Sequence, residues 1–440
     1  MRRILRLVGW SALGLLVLLL SVTGALTLLR WDRTARVVGF GEAAGAPAAA
    51  SPEFARTAAL LTATSLLPGN RLEVLSNGRE TFPPLWRDLR AARRSITTQL
   101  YFINPGAVLD SLVLLLRERA AAGVEVRFLY DAVGSRVPDS TLTGLRAAGV
   151  RVARFRPVRW YTLQKAQNRS HARTVVIDGA LGFTGGFGID DRWLGDGRSP
   201  HEWRETNVRF TGPAVAQLQA AFAAAWAEAT GQLLAGRLHF PPDPSAGIGP
   251  PPPDPIEPAL AGVLHSVAGP GNTGAQRLFA LTAAGARQRL FLTNAYFVPD
   301  RDIVEMLSAA ARRDVDVRLL LPGPLTDVPL TRAAARAHYE PLLRAGVRIW
   351  EYTPAMMHAK TFVVDRCWIG IGTMNLDPRS FVHNDEVVLL AWDREAGAML
   401  DSMFLDDLHF AREITLPTFA RRPWRQRLGE AFAIRFKRFL

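Results

Sequence analysis

The sequence contains very little cysteine and very little lysine. Its 440 residues include one cysteine, Cys367, which excludes an internal disulfide framework. Of its 53 basic residues only three are lysine, Lys165, Lys360 and Lys437. Cysteine and histidine also form no cluster with the spacing of a zinc site, so we expect neither a metal nor another cofactor. A chain of this length can form two ordinary domains.

The positive charge is concentrated at the two ends. The net charge is +13, and residues 1–36 contribute +5 of it while residues 417–440 contribute +6. The 380 residues between them are therefore nearly neutral. Binding of nucleic acid requires basic side chains along the binding face, so this distribution argues against a nucleic acid partner.

The N-terminal region has the pattern of a membrane anchor. Residues 7–29 carry no charge and are flanked by arginine on both sides. At ~1.5 Å per residue the run would extend roughly 34 Å, enough to cross a bilayer core. We expect an uncleaved anchor within residues 1–36; a cleaved signal peptide remains the alternative, with a typically shorter apolar region. Arginine on both sides leaves the orientation undecided.

Composition divides the rest of the chain. An Ala/Pro-rich segment predicts a spacer over 37–64, and a proline-rich segment predicts a linker over 239–258. Two comparable segments remain, 65–238 and 259–416. The basic tail over 417–440 has the periodicity of an amphipathic helix at a membrane surface, although a helix that packs on its own domain fits the same pattern.

The two long segments repeat one another. In each segment, short runs rich in β-branched residues alternate with stretches whose apolar residues have helical spacing. The order is the same in both segments, which predicts two duplicated α/β domains, each a mixed β-sheet flanked by helices. The matching runs are QLYFINP with NAYFVPD, VEVRFLYD with VDVRLLLPG, and HARTVVID with HAKTFVVD.

The last pair of runs carries the candidate chemistry. In each, a histidine and a cation two residues later lie on one face of a strand. An isolated strand histidine is usually a satisfied core residue, but two copies with the same neighbours favour a functional site. A small-residue turn and then an acidic residue follow each copy. The repeated residues are His171, Arg173, Asp178 and Glu205 in the first segment, and His358, Lys360, Asp365 and Glu386 in the second.

These motifs resemble the paired HxKxxxxD motifs of the phospholipase D superfamily. Within it the chain is most similar to bacterial cardiolipin synthases, through HAKTFVVD, GTMNLDPRSFVHNDEVVLL and WRETNVRFTGPAV. The resemblance implies two halves related by a pseudo-twofold axis, with both histidines at one site. It also implies metal-free phosphatidyl transfer between two phosphatidylglycerol molecules, through a phosphohistidine, that gives cardiolipin and glycerol.

The resemblance also implies a role for each residue. His171 is the expected nucleophile and His358 the acid/base, with the reverse assignment open. Positive charge and a hydrogen-bond donor at the phosphate would come from Arg173, Lys360 and Asn375. Glu205 and Glu386 would orient the two imidazoles, and Asp178 and Asp365 would have a structural role.

Two positions depart from the family pattern and leave other functions open. Gly188 stands where asparagine is usual, and Arg173 where lysine is usual. The alternatives are a phospholipase D that forms phosphatidic acid with water, and a catalytically weakened membrane scaffold. The expected partners are phosphatidylglycerol, other anionic phospholipids and the membrane surface. The expected location is the bacterial inner membrane, and the oligomeric state is not predicted.

Overall fold

The computed structural model describes residues 2–31, 37, 45–160, 166–242, 259–269 and 271–435. Helices in this part of the chain are α1 Arg2–Trp31, α2 Pro52–Thr62, α3 Asn77–Ala91, α4 Ala107–Ala121, α5 Asp139–Ala147, α6 Ala214–Thr230, α7 Gly274–Gly285, α8 Arg301–Ala311, α9 Pro329–Arg336, α10 Tyr339–Arg344, α11 Arg394–Leu408, α12 Leu416–Ala420 and α13 Trp424–Ala433. One-turn segments of 3-10 and π geometry are Asp191–Trp193 and Arg379–His383.

Short strands alternate with these helices. Strands of the first half, residues 67–242, are β1 Leu67–Ser76, β2 Ser95–Leu100, β3 Glu125–Asp131, β4 Arg151–Phe155, β5 Arg169–Ser170, β6 Thr174–Ile177, β7 Leu181–Gly185, β8 Trp203–Arg204 and β9 Thr206–Thr211. Strands of the second half, residues 259–435, are β10 Ala259–Ser266, β11 Arg289–Thr293, β12 Asp316–Pro322, β13 Arg348–Tyr352, β14 Met356–Met357, β15 Thr361–Val364, β16 Trp368–Gly372, β17 Asn384–Trp392 and β18 Ala411–Ile414.

Both halves have the same strand order. The first half runs β4-β3-β2-β6-β7-β9-β1, and the second runs β13-β12-β11-β15-β16-β17-β10 with β18 added at its edge. Within the first half β2, β3 and β4 are parallel, and within the second β11, β12 and β13 are parallel. The remaining pairs of these two strand orders, including β18 with β13, are antiparallel. The mixed α/β fold predicted from the sequence is confirmed.

The two halves share one sheet. Strand β1 pairs antiparallel with β10, so sixteen strands of the described chain form a continuous sheet and not two separate ones. A hydrophobic cluster on one face extends across this junction and includes Val74 and Phe210 from the first half and Val263 and Leu389 from the second. Such packing fixes the halves relative to one another.

Helices also cover the other face of each half. Leu109, Leu112 and Leu116 of α4 pack over the first half, and Ile303 and Leu307 of α8 over the second. These side chains recur at intervals of three or four residues, which is the pattern of a helix with one buried face. The sheet is therefore buried on both sides, as parallel strands require.

The terminal segments differ from the expectations in part. Within the described residues no helix has both the length and the apolarity needed to cross a membrane, so the span predicted over 7–29 is not confirmed. Part of the predicted spacer is helical, and Phe54 of α2 packs edge-on against Trp368, with ring centroids 5.3 Å apart. Most of the predicted linker, residues 243–258, lies outside the described residues.

Candidate active site

Short strands carry the two histidines to the junction of the halves. His171 follows β5, which pairs with β17 of the second half, and His358 follows β14, which pairs with β8 of the first half. The His171 amide donates to the Asp385 carbonyl at 2.9 Å, and the His358 amide donates to the Arg204 carbonyl at 2.7 Å. Each histidine is thus held by backbone of the opposite half.

The acidic residues are paired in the same crossed way. His171 Nδ1 lies 3.0 Å from both carboxylate oxygens of Glu386, and His358 Nδ1 lies 2.5 Å from Glu205 Oε2. Both carboxylates are fully buried. A carboxylate at Nδ1 fixes the Nδ1–H tautomer and directs Nε2 away from it.

The repeated cations stand beside the imidazoles. Arg173 Nη1 lies 3.3 Å from His171 Nε2, and Lys360 Nζ lies 3.0 Å from both ring nitrogens of His358. Both cations are buried. A buried cation whose N–H donors stand beside an imidazole suits an anionic group at that position.

Both histidines line one cavity of about 520 Å³. Arg173 and Asn375 line it as well, so residues far apart in the sequence meet there. Asn375 is buried, and its side-chain oxygen has no hydrogen-bond partner among the described residues. This cavity can hold a phosphodiester between two imidazoles.

Burial and the cations determine the protonation of the site. Burial, with Arg173 and Lys360 nearby, lowers the pKa of His171 well below its usual range, and burial with Lys360 does the same for His358. Burial raises the pKa of Glu386 to about 7 and also raises the pKa of Glu205. Burial lowers the pKa of Lys360 to about 7. Because each imidazole faces a carboxylate, the proton between them belongs to the pair.

The motif aspartates lie at the other end of their strands. Asp178 accepts hydrogen bonds from the amides of Arg93, Arg94 and Ser95, where β2 begins. Asp365 does the same for the amides of residues 287–289, where β11 begins. Neither lines the cavity, so the structure places both where they organise backbone.

The two half-sites differ behind the carboxylates. Ser380, eight residues after Gly372, donates a hydrogen bond to Glu386 at 2.7 Å. Trp193, eight residues after the equivalent Gly185, donates its indole N–H to Glu205 at 3.3 Å. A Cβ on Gly188 would lie 2.7 Å from the Trp193 ring. Tryptophan thus fills the space that an asparagine at 188 would need.

Sequence reasoning assigned no role to several residues of the site. The rings of Tyr101 and Tyr296 stand edge-on to His171 and His358, with centroids 4.9 and 6.1 Å away, and Trp203 lies 4.8 Å from His358. Both tyrosines occur in the repeated runs QLYFINP and NAYFVPD, and this repetition was the available signal. Arg192 and Arg379 also line the cavity.

Comparison with known structures identifies the class of fold. The crystal structure of phosphatidylserine synthase from Haemophilus influenzae superposes with a TM-score of 0.62 over 88% of this chain and 98% of that one. The two sequences are 13% identical, so the similarity concerns the fold. This chain thus shares the α/β fold of that crystal structure over most of its length.

Sequence comparison identifies the family. The family model described as "Cardiolipin synthase, PLD-like domain" matches residues 85–226 and 281–408. The chain is 36% identical to the cardiolipin synthase of Geobacillus kaustophilus over 362 residues, which cover 81% of this chain and 70% of the relative. It is also 36% identical to cardiolipin synthase A of Pseudomonas aeruginosa over 359 residues, or 80% and 71%. The chain therefore belongs to the cardiolipin synthase family, and it is a phosphatidyltransferase of the phospholipase D superfamily.

Proposed function

We propose that this enzyme transfers a phosphatidyl group from one phosphatidylglycerol to the primary hydroxyl of another, through a phosphohistidine on His171, and releases glycerol. The observation that carries this proposal is the meeting of two imidazoles in one cavity, each backed by a carboxylate of the other half. Covalent catalysis of this kind divides one difficult displacement into two easier steps.

In the first step the donor phosphodiester binds beside Arg173, Lys360 and Asn375. The carboxylate of Glu386 accepts Nδ1–H of His171, which leaves the Nε2 lone pair to attack phosphorus. The new P–N bond forms as the P–O bond to glycerol breaks. His358 donates its Nε2 proton to the departing oxygen and ends neutral.

The low pKa values of the two histidines fit this sequence of steps. His358 must hold a second proton before it can act as an acid, whereas burial and the nearby cations Lys360, Arg173 and Arg192 lower its pKa and disfavour that proton. A bound phosphodiester adds a negative charge next to the ring, which favours the protonated form. Substrate binding therefore prepares the acid, and Glu205 stabilises the imidazolium that forms.

In the second step the acceptor takes the place of glycerol. Neutral His358 removes the proton from the primary hydroxyl of a second phosphatidylglycerol, and the oxygen attacks phosphorus. The P–N bond to His171 breaks and returns the free imidazole. The product is cardiolipin, and His358 holds the proton needed for the next cycle.

We propose that these steps take place at a membrane surface. The described side chains of α1, residues 9–24, include many large apolar ones that are exposed, among them Trp10, Leu15 and Leu20. On α13, Trp424, Leu428 and Phe432 recur every four residues and are largely exposed. These apolar stripes, together with the basic ends of the chain, support contact with anionic lipid.

The C-terminal tail also packs on the protein, which was the second possibility predicted for it. Buried Glu430 of α13 contacts Arg336 of α9 at 3.1 Å and Arg422 at 2.8 Å. This contact fixes which side of α13 remains exposed.

We further propose that residues 65–238 and 259–416 are the duplicated domains, an assignment that the shared strand order supports.

The test is incubation of the purified chain with phosphatidylglycerol vesicles, followed by lipid analysis and a glycerol assay. Equal amounts of cardiolipin and glycerol are the expected products. Phosphatidic acid without cardiolipin would instead show a phospholipase D. The scaffold would be favoured by two results together: the purified wild type shows no turnover, and cells that carry His358→Ala keep a normal cardiolipin content.

A further inference from the structure

The rim of the cavity carries opposite charges at equivalent positions of the two halves. Arg136 comes five residues after the end of β3, within the sequence SRVP, and Asp327 comes five residues after the end of β12, within TDVP. Both side chains line the cavity. Duplication therefore placed these positions together at one mouth, and the two halves now differ there in charge.

A carboxylate is unexpected at the entrance of a site for a phosphodiester. Its charge repels the substrate phosphate, so it costs affinity unless it forms another favourable contact with the substrate. In the described part of the chain, Asp327 Oδ2 accepts a hydrogen bond from the Tyr296 hydroxyl at 2.7 Å, and its Oδ1 accepts none. One oxygen is thus positioned by the protein and the other is available at the cavity.

The position of Asp327 relates it to the side of the cavity that contains His358. The Tyr296 ring, whose hydroxyl binds Asp327, stands edge-on to His358 with centroids 6.1 Å apart. The charge of Asp327 also acts on Lys360 and on Arg192. In the proposed mechanism His358 protonates the departing headgroup, so that headgroup lies on the same side.

We propose that Asp327 is a specificity residue that accepts hydrogen bonds from the free hydroxyl groups of the glycerol headgroup. This inference rests on the proposed function and names the headgroup that the same site selects. A hydroxyl suits this position better than an ammonium, because Lys360 and Arg192 would repel a third cation there. A headgroup without a donor would leave the carboxylate facing the substrate with nothing to bind.

The experiment compares donors that differ in headgroup alone. Full-length wild type and Asp327→Asn are assayed for donor cleavage with phosphatidylglycerol, phosphatidylethanol and phosphatidylethanolamine in the same mixed micelles. Wild type is expected to prefer phosphatidylglycerol to phosphatidylethanol. The substitution is expected to lower that ratio of kcat/KM values by about tenfold, as the weakening of a hydrogen bond to a charged group predicts.

Two further variants separate recognition from support of the loop. Tyr296→Phe removes the hydroxyl that holds Asp327 but keeps its carboxylate, so most of the preference for phosphatidylglycerol is expected to remain. Glu305→Gln, at an exposed carboxylate on α8 that does not line the cavity, is the matched control and should leave the ratio unchanged.

Three results would overturn the inference. The ratio could be unchanged in Asp327→Asn, Tyr296→Phe could lower it as much as Asp327→Asn does, or the loss could fall on phosphatidylethanolamine alone. If the wild type makes cardiolipin and any of these results is found, the proposed function stands and only the role of Asp327 is refuted. A wild type that makes no cardiolipin refutes the proposed function itself.

Discussion

His358 Nδ1 lies 2.5 Å from Oε2 of Glu205, a residue 153 positions earlier in the chain and in the opposite half. The reciprocal contact joins His171 to Glu386, 215 positions apart. Each half therefore supplies one imidazole and the carboxylate that orients the other imidazole. Each half contains a histidine, a cation and a glutamate, but neither half pairs its own histidine with its own glutamate.

The two histidines should differ in how their loss affects the reaction. We expect His171→Ala to abolish turnover, because no nucleophile remains, and His358→Ala to slow it by roughly 10²- to 10⁴-fold, the usual contribution of an acid/base group. Turnover on phosphatidylglycerol vesicles measures both. Mass spectrometry of the rapidly quenched wild type should find the phosphatidyl adduct on His171.

The control for that pair is His409→Ala, at an exposed histidine beyond the end of α11, which should retain the wild-type rate. An adduct found on His358 would reverse the two roles. An unchanged rate in His358→Ala would contradict the mechanism.

Replacing either carboxylate should reduce turnover more than binding. In Glu205→Gln the neutral amide still accepts Nδ1–H of His358 but no longer stabilises the imidazolium. We expect kcat to fall by about 10- to 100-fold, since a charged hydrogen-bond partner is lost, while KM changes little. Glu386→Gln should behave similarly through His171. A change confined to KM in both variants would show that the carboxylates act only on substrate binding.

Lys360 should make phosphate binding sensitive to pH. Burial lowers its pKa to about 7, so the free enzyme holds an ammonium below that pH and a neutral amine above it. The cation that binds phosphate is therefore lost as pH rises, and kcat/KM should fall by up to about tenfold per pH unit above 7 if that cation is required.

Lys360→Arg provides the comparison, because guanidinium stays charged over this range. The decline in kcat/KM of this variant at alkaline pH should disappear or move to higher pH, even if its maximal rate is lower. An identical alkaline limb in both proteins would assign the titration to a different group.

Gly188 should tolerate no side chain. A Cβ there would lie 2.7 Å from the Trp193 ring and 3.0 Å from the Phe102 carbonyl oxygen. Gly188→Ala is expected to lower the free energy of unfolding by about 1–3 kcal/mol, as overpacking of a core does. Gly144→Ala is the matched control within α5, where a Cβ meets nothing within 4 Å, and should be neutral or stabilising by up to about 1 kcal/mol. Equal stability of Gly188→Ala and wild type would contradict this packing.

Much of the site could be predicted from the sequence because the chain contains it twice. The spacing of His358 and Lys360 predicted one face of a strand, and the same spacing at His171 and Arg173 made chance a poor explanation. In the structure all four residues lie just before a strand, in the short links between β5 and β6 and between β14 and β15. Repetition also contained the signal for Tyr101 and Tyr296, but two tyrosines within apolar runs fit core packing equally well. Gly188 was recognised as a departure from the family pattern. Nothing in the local sequence indicates that Trp193 occupies the space beside it.

The sequence by itself determined the duplicated α/β pattern and the two motifs, because periodicity and spacing are local properties of a chain. The phosphodiester chemistry followed from the resemblance of those motifs to the phospholipase D superfamily. Only the tertiary structure decided that the two halves share a sheet, that β5 and β14 pair with the opposite half, and that each glutamate serves the histidine of the other half. Those contacts join residues more than 150 positions apart, and many pairings of such residues satisfy the same local pattern. Packing of β1 against β10 selects one of them, since it fixes both halves in a single arrangement around the cavity.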